Sequence, residues 1–321
     1  KSEHWQRSGG IDHVFLFADG ESAAIWDAYD LIRGRSHFLL VETWCDVPEG
    51  SPVRRHTQRV PCSSPWKDVV IPGHVDYHRG RQLLNARLPL TERSVLLTFQ
   101  GRFPSFGKEY QHCHARQKLF TLSHSLKPHV DVSPYSENYF DKLGRSIFCA
   151  VPAGKTPWTI HLYEAFFAGC IPVILSDDYA LPFSDIIPWH DLSIRWPEHL
   201  TDMRLVEHLE ALVRTAPERL AEFTSNLEKY RCWVDYWSED PSCSPFVAAT
   251  HALAKFVSHR PVYTQVPNVF WNSPEEVTKL ANDTLFDCAV YVNNSILAGR
   301  EVEGDPVHYT ETHQACQRRC A

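Results

Sequence analysis

The sequence predicts an α/β fold with parallel sheets, divided between two domains. Short apolar runs alternate with segments of helical spacing, and most of the runs end in Gly, Pro or Asp, which is the signature of parallel α/β units. At roughly 150 residues per domain, 321 residues correspond to about two domains. With 43% hydrophobic and 22% charged residues, the chain can bury a core and is not expected to be disordered.

The elements follow in order. Val14–Ala18, after Gly9-Gly10, reads as a buried strand, and Glu21–Leu31 as a helix. His37–Glu42 is a second apolar run. Val69–Pro72 is a β-branched strand stopped by Pro72-Gly73, and Val95–Phe99 is a strand ended by Gly101. Arg116–Leu126 is helical and stops before Pro128. The alternation then resumes. Tyr139–Leu143 reads as a short helix, Ile147–Val151 as a strand, Pro152–Thr156 as a loop, and Thr159–Ala168 as a helix closed by Gly169. Cys170–Leu175 is the next strand, broken by Ser176-Asp177-Asp178, and Ile187–Ile194 contains another. Asp202–Trp237 is strongly helical with a break near Pro217, and Pro245–Val257 is amphipathic. The polar stretch Pro128–Ser136 places a domain boundary near residue 130. The division is then 1–130, 131–260, and an extension 261–321 in which Glu275–Leu285 reads as a helix and Cys288–Val292 as a strand.

A net charge of −7 and a pI near 6.2 argue against a nucleic-acid binder held by a broad basic surface. No apolar run approaches the roughly 20 residues of a membrane span. The chain starts at Lys1, so an anchor is expected upstream of it. Of ten cysteines, Cys149 and Cys170 lie in apolar runs and read as buried free thiols. The other eight lie in polar stretches suited to disulfides in an oxidising lumen. The sequons at Asn282 and Asn293 agree with that compartment.

Chemistry concentrates in Ser146–Phe183. A buried strand delivers a Pro/Gly loop, and a helix begins directly after it. Loop N–H groups, the helix N-terminus and Lys155 can together receive an anion such as a nucleotide diphosphate; an ordinary strand–loop–helix turn is the competing reading. Gly154-Lys155-Thr156 copies the end of a P-loop, but that motif needs Gly where Cys149 stands. Glu164 lies in the apolar stretch LYEAFFAG. It either faces solvent or points into a cleft where a sugar hydroxyl can reach it. The chain has no Asp-x-Asp motif for a metal-bound diphosphate, and His308, His313, Cys316 and Cys320 match no standard zinc spacing, so no metal site is expected. Trp158 is the tryptophan expected to line the cleft.

This segment resembles the exostosin family of glycosyltransferases. The resemblance rests on Phe148-Cys149, Pro152-Ala153-Gly154, Glu164-Ala165, Gly169 through Ile174 (GCIPVI), Ser176-Asp177 and Leu181-Pro182-Phe183, all at the family's spacing. Gly9-Gly10-Ile11-Asp12-His13, Lys67 through Pro72 and Phe99-Gln100-Gly101-Arg102 are similar to further family stretches, so the likeness covers residues 5 to 260. It implies a GT-B fold: two Rossmann-like lobes, the N-terminal one holding the acceptor and here truncated, the C-terminal one holding the nucleotide sugar. It further implies inverting transfer from a nucleotide sugar, UDP on family grounds, to a glycan of a polysaccharide or glycoprotein. No cofactor is required. Complexes with other glycosyltransferases and a membrane-anchored place in the Golgi or endoplasmic reticulum lumen would follow. The donor-binding positions implied are Arg102, Gly154, Lys155, Thr156, Thr159, His161 and Glu164, with Lys155 on the diphosphate and Glu164 on the ribose. The family usually carries Arg at the position of His161. That departure, with the truncation, supports a second reading as a non-catalytic partner subunit or sugar-binding module. An inverting displacement needs a base, for which Asp12 and His13 are candidates if they do not merely orient their loop; His74 and Asp76 are secondary ones.

Overall fold

The computed structural model describes residues 3–18, 20, 23, 29–46, 59–103 and 114–258. The chain forms two compact units. The first comprises Lys1–Val69 with His251–Ala321, the second Val70–Thr250.

In the first unit a short helix α1 (Glu3–Ser8) precedes strand β1 (Val14–Phe17). Helix α2 (Tyr29–Ile32) leads into β2 (His37–Leu40), which runs parallel to β1 with Val14 opposite His37. Strands β3 (Trp44–Asp46) and β4 (Arg59–Pro61) form a separate antiparallel pair, cross-linked by the Cys45–Cys62 disulfide. Strand β5 (Val69–Val70) completes the sheet in the order β1-β2-β5. Ala23, Ile32, Phe38 and Leu40 make the core, flanked by Trp5, Phe15, Phe17 and Tyr29. Asp68 is buried there. It accepts hydrogen bonds from the N–H groups of Phe38 (2.9 Å) and Ser64 (2.8 Å) and pairs with Lys67 at 2.5 Å. Burial pushes the Asp68 carboxyl up and the Lys67 amine down. The pair ties the Ser64–Asp68 stretch to β2.

The second unit is a five-stranded parallel sheet with helices. Helix α3 (Tyr77–Asn85) comes first, then β6 (Val95–Gln100), α4 (His114–Leu126), β7 (Val130–Ser133), α5 (Tyr139–Gly144) and β8 (Ser146–Pro152). Helix α6 (His161–Ala168), β9 (Ile171–Leu175), β10 (Ile194–Arg195), α7 (Met203–Thr215), α8 (Pro217–Tyr230) and α9 (Pro245–Ser258) follow. The strand order is β10-β9-β8-β6-β7. Strands β6 and β9 are buried at every residue, as central strands covered on both faces must be. Helix α6 is nearly as enclosed, with seven of its residues buried. Gly169 closes it with φ +60°, a left-handed cap in which a Cβ would also meet the Arg87 guanidinium at 2.7 Å.

Most expected elements appear, with corrections. The strand expected within Ile187–Ile194 begins only at its last residue: a 3-10 turn occupies Trp189–Asp191, and Ile194–Arg195 pairs parallel to β9. The expected boundary near residue 130 falls at β7, which is hydrogen-bonded to β6 in the same sheet, and the division by contacts lies at Val69/Val70. Cys149 and Cys170 are joined as a disulfide, because the parallel pairing of β8 and β9 brings their Cα atoms to 5.7 Å. A third bridge joins Cys232 and Cys243. The elements and sites expected in residues 261–321, including Cys288, Cys316, Cys320 and both sequons, lie outside the described residues, as do Cys113 and most of Glu21–Leu31.

Candidate functional site

In the second unit the chain runs from β6 to β7 on one side, then returns to place β8 on the other side of β6. The C-terminal ends of β6 and β8 are therefore a topological switch point, where an open α/β sheet leaves a crevice between diverging connections. The loop after β6 carries Gly101, Arg102 and Phe103; the loop after β8 carries Pro152 through Ile160.

One guanidinium joins these loops. Arg116, on α4, is 6% exposed. It donates to the carbonyls of Ala153 (2.8 Å), Arg102 (2.9 Å) and Pro152 (3.5 Å) and lies 5.1 Å from the centre of the Phe99 ring. Gly154 sits so close that a Cβ there would stand 2.7 Å from the guanidinium. Within the β8 loop, Gly154 N–H donates to Thr156 O (2.9 Å) and the Thr156 hydroxyl to Trp158 O (3.4 Å), while Lys155 is half-buried at the bend. Trp158 packs against Gly73. The first turn of α6 has its N–H groups engaged: His161 on the Thr159 hydroxyl (3.4 Å), Leu162 on Thr159 O, and Tyr163 and Glu164 on Ile160 O. The anion-receiving character expected of that helix end thus rests on the cations around the loop.

Glu164 is not on a solvated face; it is 0% exposed. One carboxylate oxygen is paired with Arg79 Nε from α3. The other accepts from the Tyr139 hydroxyl of α5 and lies 3.1 Å from His161 Nδ1. Tyr139 Oη and His161 Nδ1 are themselves 3.0 Å apart. Burial by itself would raise the Glu164 carboxyl. The hydrogen bond and charge of His161 and the Arg79 guanidinium outweigh it and hold the group at about 2. Arg79 is correspondingly pushed up despite burial, and burial first, then the Glu164 charge, raises Tyr139. The guanidinium also lies over Tyr139 (4.8 Å) and donates to the Tyr135 hydroxyl (3.1 Å). His161 packs edge-on against Phe99 at 5.2 Å and turns Nε2 toward Gly101, where a Cβ would be 3.3 Å away.

The structure therefore brings together Arg102, Gly154, Lys155, Thr156, Thr159, His161 and Glu164 beyond the C-terminal ends of β6 and β8. Sequence reasoning missed Arg79, Arg116 and Tyr139. Their signal is weak: Arg79 and Arg116 are distant in sequence from the motif, and Tyr139, in the helix just before it, carries no motif of its own. Asp76 is spent as the N-cap of α3, its carboxylate accepting from His78 N–H (2.9 Å) and Arg79 N–H (3.2 Å). In the first unit Asp12 is paired with Arg7 (2.5 Å) and with the Ser8 hydroxyl, and lies 2.8 Å from His13 Nδ1. The Ser8, Arg7 and His13 hydrogen bonds hold its carboxyl well below the usual range, which makes Asp12 itself a weak proton acceptor. Among the described residues no cluster of three or more His, Cys, Asp or Glu could hold a metal ion, and no helix is long and apolar enough to cross a membrane.

The model of the exostosin GT47 domain matches residues 1–212. The chain belongs to the exostosin GT47 family. It is similar to a protein of Oryza sativa subsp. japonica named a probable glucuronosyltransferase, 32% identical over 60% of this chain and 44% of that protein. It is also similar to the probable β-1,4-xylosyltransferase IRX10L of Arabidopsis thaliana, 28% identical over 67% of this chain and 49% of that one. The chain spans about half the length of the curated relatives it matches. A solved structure of Anabaena HepE in complex with UDP-glucose aligns with TM-score 0.40 and 10% identity over 76% of this chain and 72% of that chain.

Proposed function

We propose that this exostosin GT47 chain binds a UDP-sugar at the second unit's switch point and serves an inverting glycosyltransferase acting on a glycan. The observation that carries the reading is the Arg116 clamp, which holds the β6 and β8 loops side by side at the one place in the sheet where diverging connections open a crevice. Family membership and the glucuronosyl- and xylosyltransferase relatives support the reaction class. In the reaction an acceptor hydroxyl oxygen bonds to the anomeric carbon as its bond to the diphosphate breaks, so the configuration inverts and UDP leaves. The proton passes to a base. The negative charge gathering on the leaving diphosphate is met by Lys155 and Arg102. In this reading the protein works in the lumen of the Golgi or endoplasmic reticulum, alongside other glycosyltransferases. Three disulfides among the described residues support an oxidising compartment.

The test is a calorimetric titration with UDP and with uridine. Lys155→Ala should weaken UDP by about tenfold or more and leave uridine nearly unchanged, since its contribution is to the diphosphate. Asp178→Asn, in the turn after β9, is the control and should bind as the parent does. Equal UDP affinity in the parent and in Lys155→Ala would move the donor site elsewhere.

A further inference from the structure

A second set of groups lies beside the β8 loop. Among the large aromatic side chains of the second unit that face solvent are Tyr77 at 46% exposure, Trp237 at 50% and Phe246 at 64%. They belong to one connected set of rings. Trp237 meets Tyr77 edge-on at 5.8 Å and His74 at 5.7 Å, while Tyr236 meets His74 at 5.7 Å and Phe246 at 5.5 Å. Exposing this much aromatic surface in one place costs solvation free energy, and such patches mark binding surfaces.

The rings are also fixed. The Trp237 indole N–H donates to Val75 O (3.2 Å), its backbone N–H to the Asp235 carboxylate (2.9 Å), and the Tyr236 hydroxyl to Pro72 O (2.9 Å). The Cys232–Cys243 disulfide closes the loop that carries both residues. Asp76 caps α3 immediately before Tyr77. A surface with little conformational entropy left to lose is prepared for a ligand.

We infer that Trp237, Tyr77 and Phe246, with His74, form a saccharide platform that seats the acceptor chain. This deepens the glycosyltransferase reading and rests on it. Two observations select a sugar as occupant. The platform is continuous with the candidate donor loop, because Gly73, next to His74, packs against Trp158 of that loop. Polar groups also stand directly beside the rings: Asp76 next to Tyr77, His78 packed on Tyr77 at 5.5 Å, and the Asp235 carboxylate on the Trp237 backbone N–H. A neutral β-linked oligosaccharide has the matching chemistry: its axial C–H faces stack on aromatic rings, while its equatorial hydroxyls reach polar groups at the rim.

The platform is tested with xylohexaose and cellohexaose, followed by tryptophan fluorescence and calorimetry, with UDP titrated on the same samples. The parent should bind at least one hexasaccharide. Trp237→Ala should weaken that binding about tenfold or more and Trp237→Phe by a smaller factor, with Tyr77→Ala additive to either and UDP affinity within about twofold of the parent. In turnover, acceptor KM should rise while donor KM holds. A parent that binds UDP but neither hexasaccharide overturns the platform and leaves the donor reading intact, as does unchanged hexasaccharide affinity in the Trp237→Ala, Tyr77→Ala double variant. A parent that binds a hexasaccharide through Trp237 but not UDP keeps the platform and overturns the donor reading. Retained UDP binding in Trp237→Phe excludes misfolding as the cause of any loss.

Discussion

Glu164 shows how far a single residue's role depends on neighbours its sequence does not name. A carboxylate enclosed in apolar surroundings is tolerated only when partners offset its lost hydration, and here Arg79, Tyr139 and His161 do so. Removing one partner should cost far more than removing the pair. Arg79→Ala is expected to destabilise the protein by about 3–5 kcal/mol, because it leaves a buried anion only partly compensated, by Tyr139 and His161. Arg79→Met combined with Glu164→Gln should recover most of that loss in chemical denaturation; additive losses would show that the pair is not coupled. The pH dependence has a definite sign. Folding lowers the Glu164 carboxyl from its ordinary 4.5 to about 2, so its stabilisation is complete above the ordinary value and disappears as pH falls toward the folded one. Melting temperatures followed from pH 5 down to 2 should fall less steeply in Glu164→Gln than in the parent. The sequence announced this residue by setting a charge in LYEAFFAG but left its surroundings open, because Arg79 is 85 residues away in the chain.

At the scale of elements, the strands legible in sequence were β1, β5, β6, β8 and β9, each an apolar run, and the helices legible at both ends were α5 and α9; α6 was legible at its stop, which Gly169 marks. Helix α3 was not read. Its sequence, YHRGRQLLN, has a central glycine and few apolar residues, and its start is set by the Asp76 cap and not by periodicity. Tertiary packing explains the glycines: Gly80 lets α3 approach Phe167 of α6, and Gly144, at the end of α5, faces the Ala86 carbonyl just past α3. A Cβ at Gly144 would stand 1.9 Å from that oxygen, which is backbone and cannot swing away. Gly144→Ala should therefore destabilise the fold by about 1–3 kcal/mol or more, as overpacking does. The same change at Gly80, where the nearest atom belongs to the Phe167 ring at 3.1 Å, should be milder. Thermal melts of the two variants rank them; equal melting temperatures would mean that the α3–α5 approach yields easily.

The whole chain offers two competing divisions, and they make opposite predictions. A boundary near residue 130 follows the polar stretch Pro128–Ser136, whereas the packing divides the chain at Val69/Val70. In the sheet order β10-β9-β8-β6-β7, β6 is an inner strand that pairs with both β7 and β8. A fragment of residues 131–258 would lose β6 from the middle of that sheet, along with Arg79 from beside Glu164 and Arg116 from between the two loops. It would expose the apolar flank of β8 and strand a buried carboxylate. Such a fragment should be insoluble, or should lack a cooperative melt. A fragment of residues 69–258 keeps all five strands, α3 and the Cys149–Cys170 and Cys232–Cys243 bridges. It should unfold in one cooperative transition and, because every residue assigned to the diphosphate lies within it, bind UDP within about threefold of the full chain. Circular dichroism melts and calorimetry on the two fragments decide the matter. If residues 131–258 fold and bind UDP while residues 69–258 gain nothing, β6 and Arg79 are dispensable and the boundary suggested by the polar stretch is the true one.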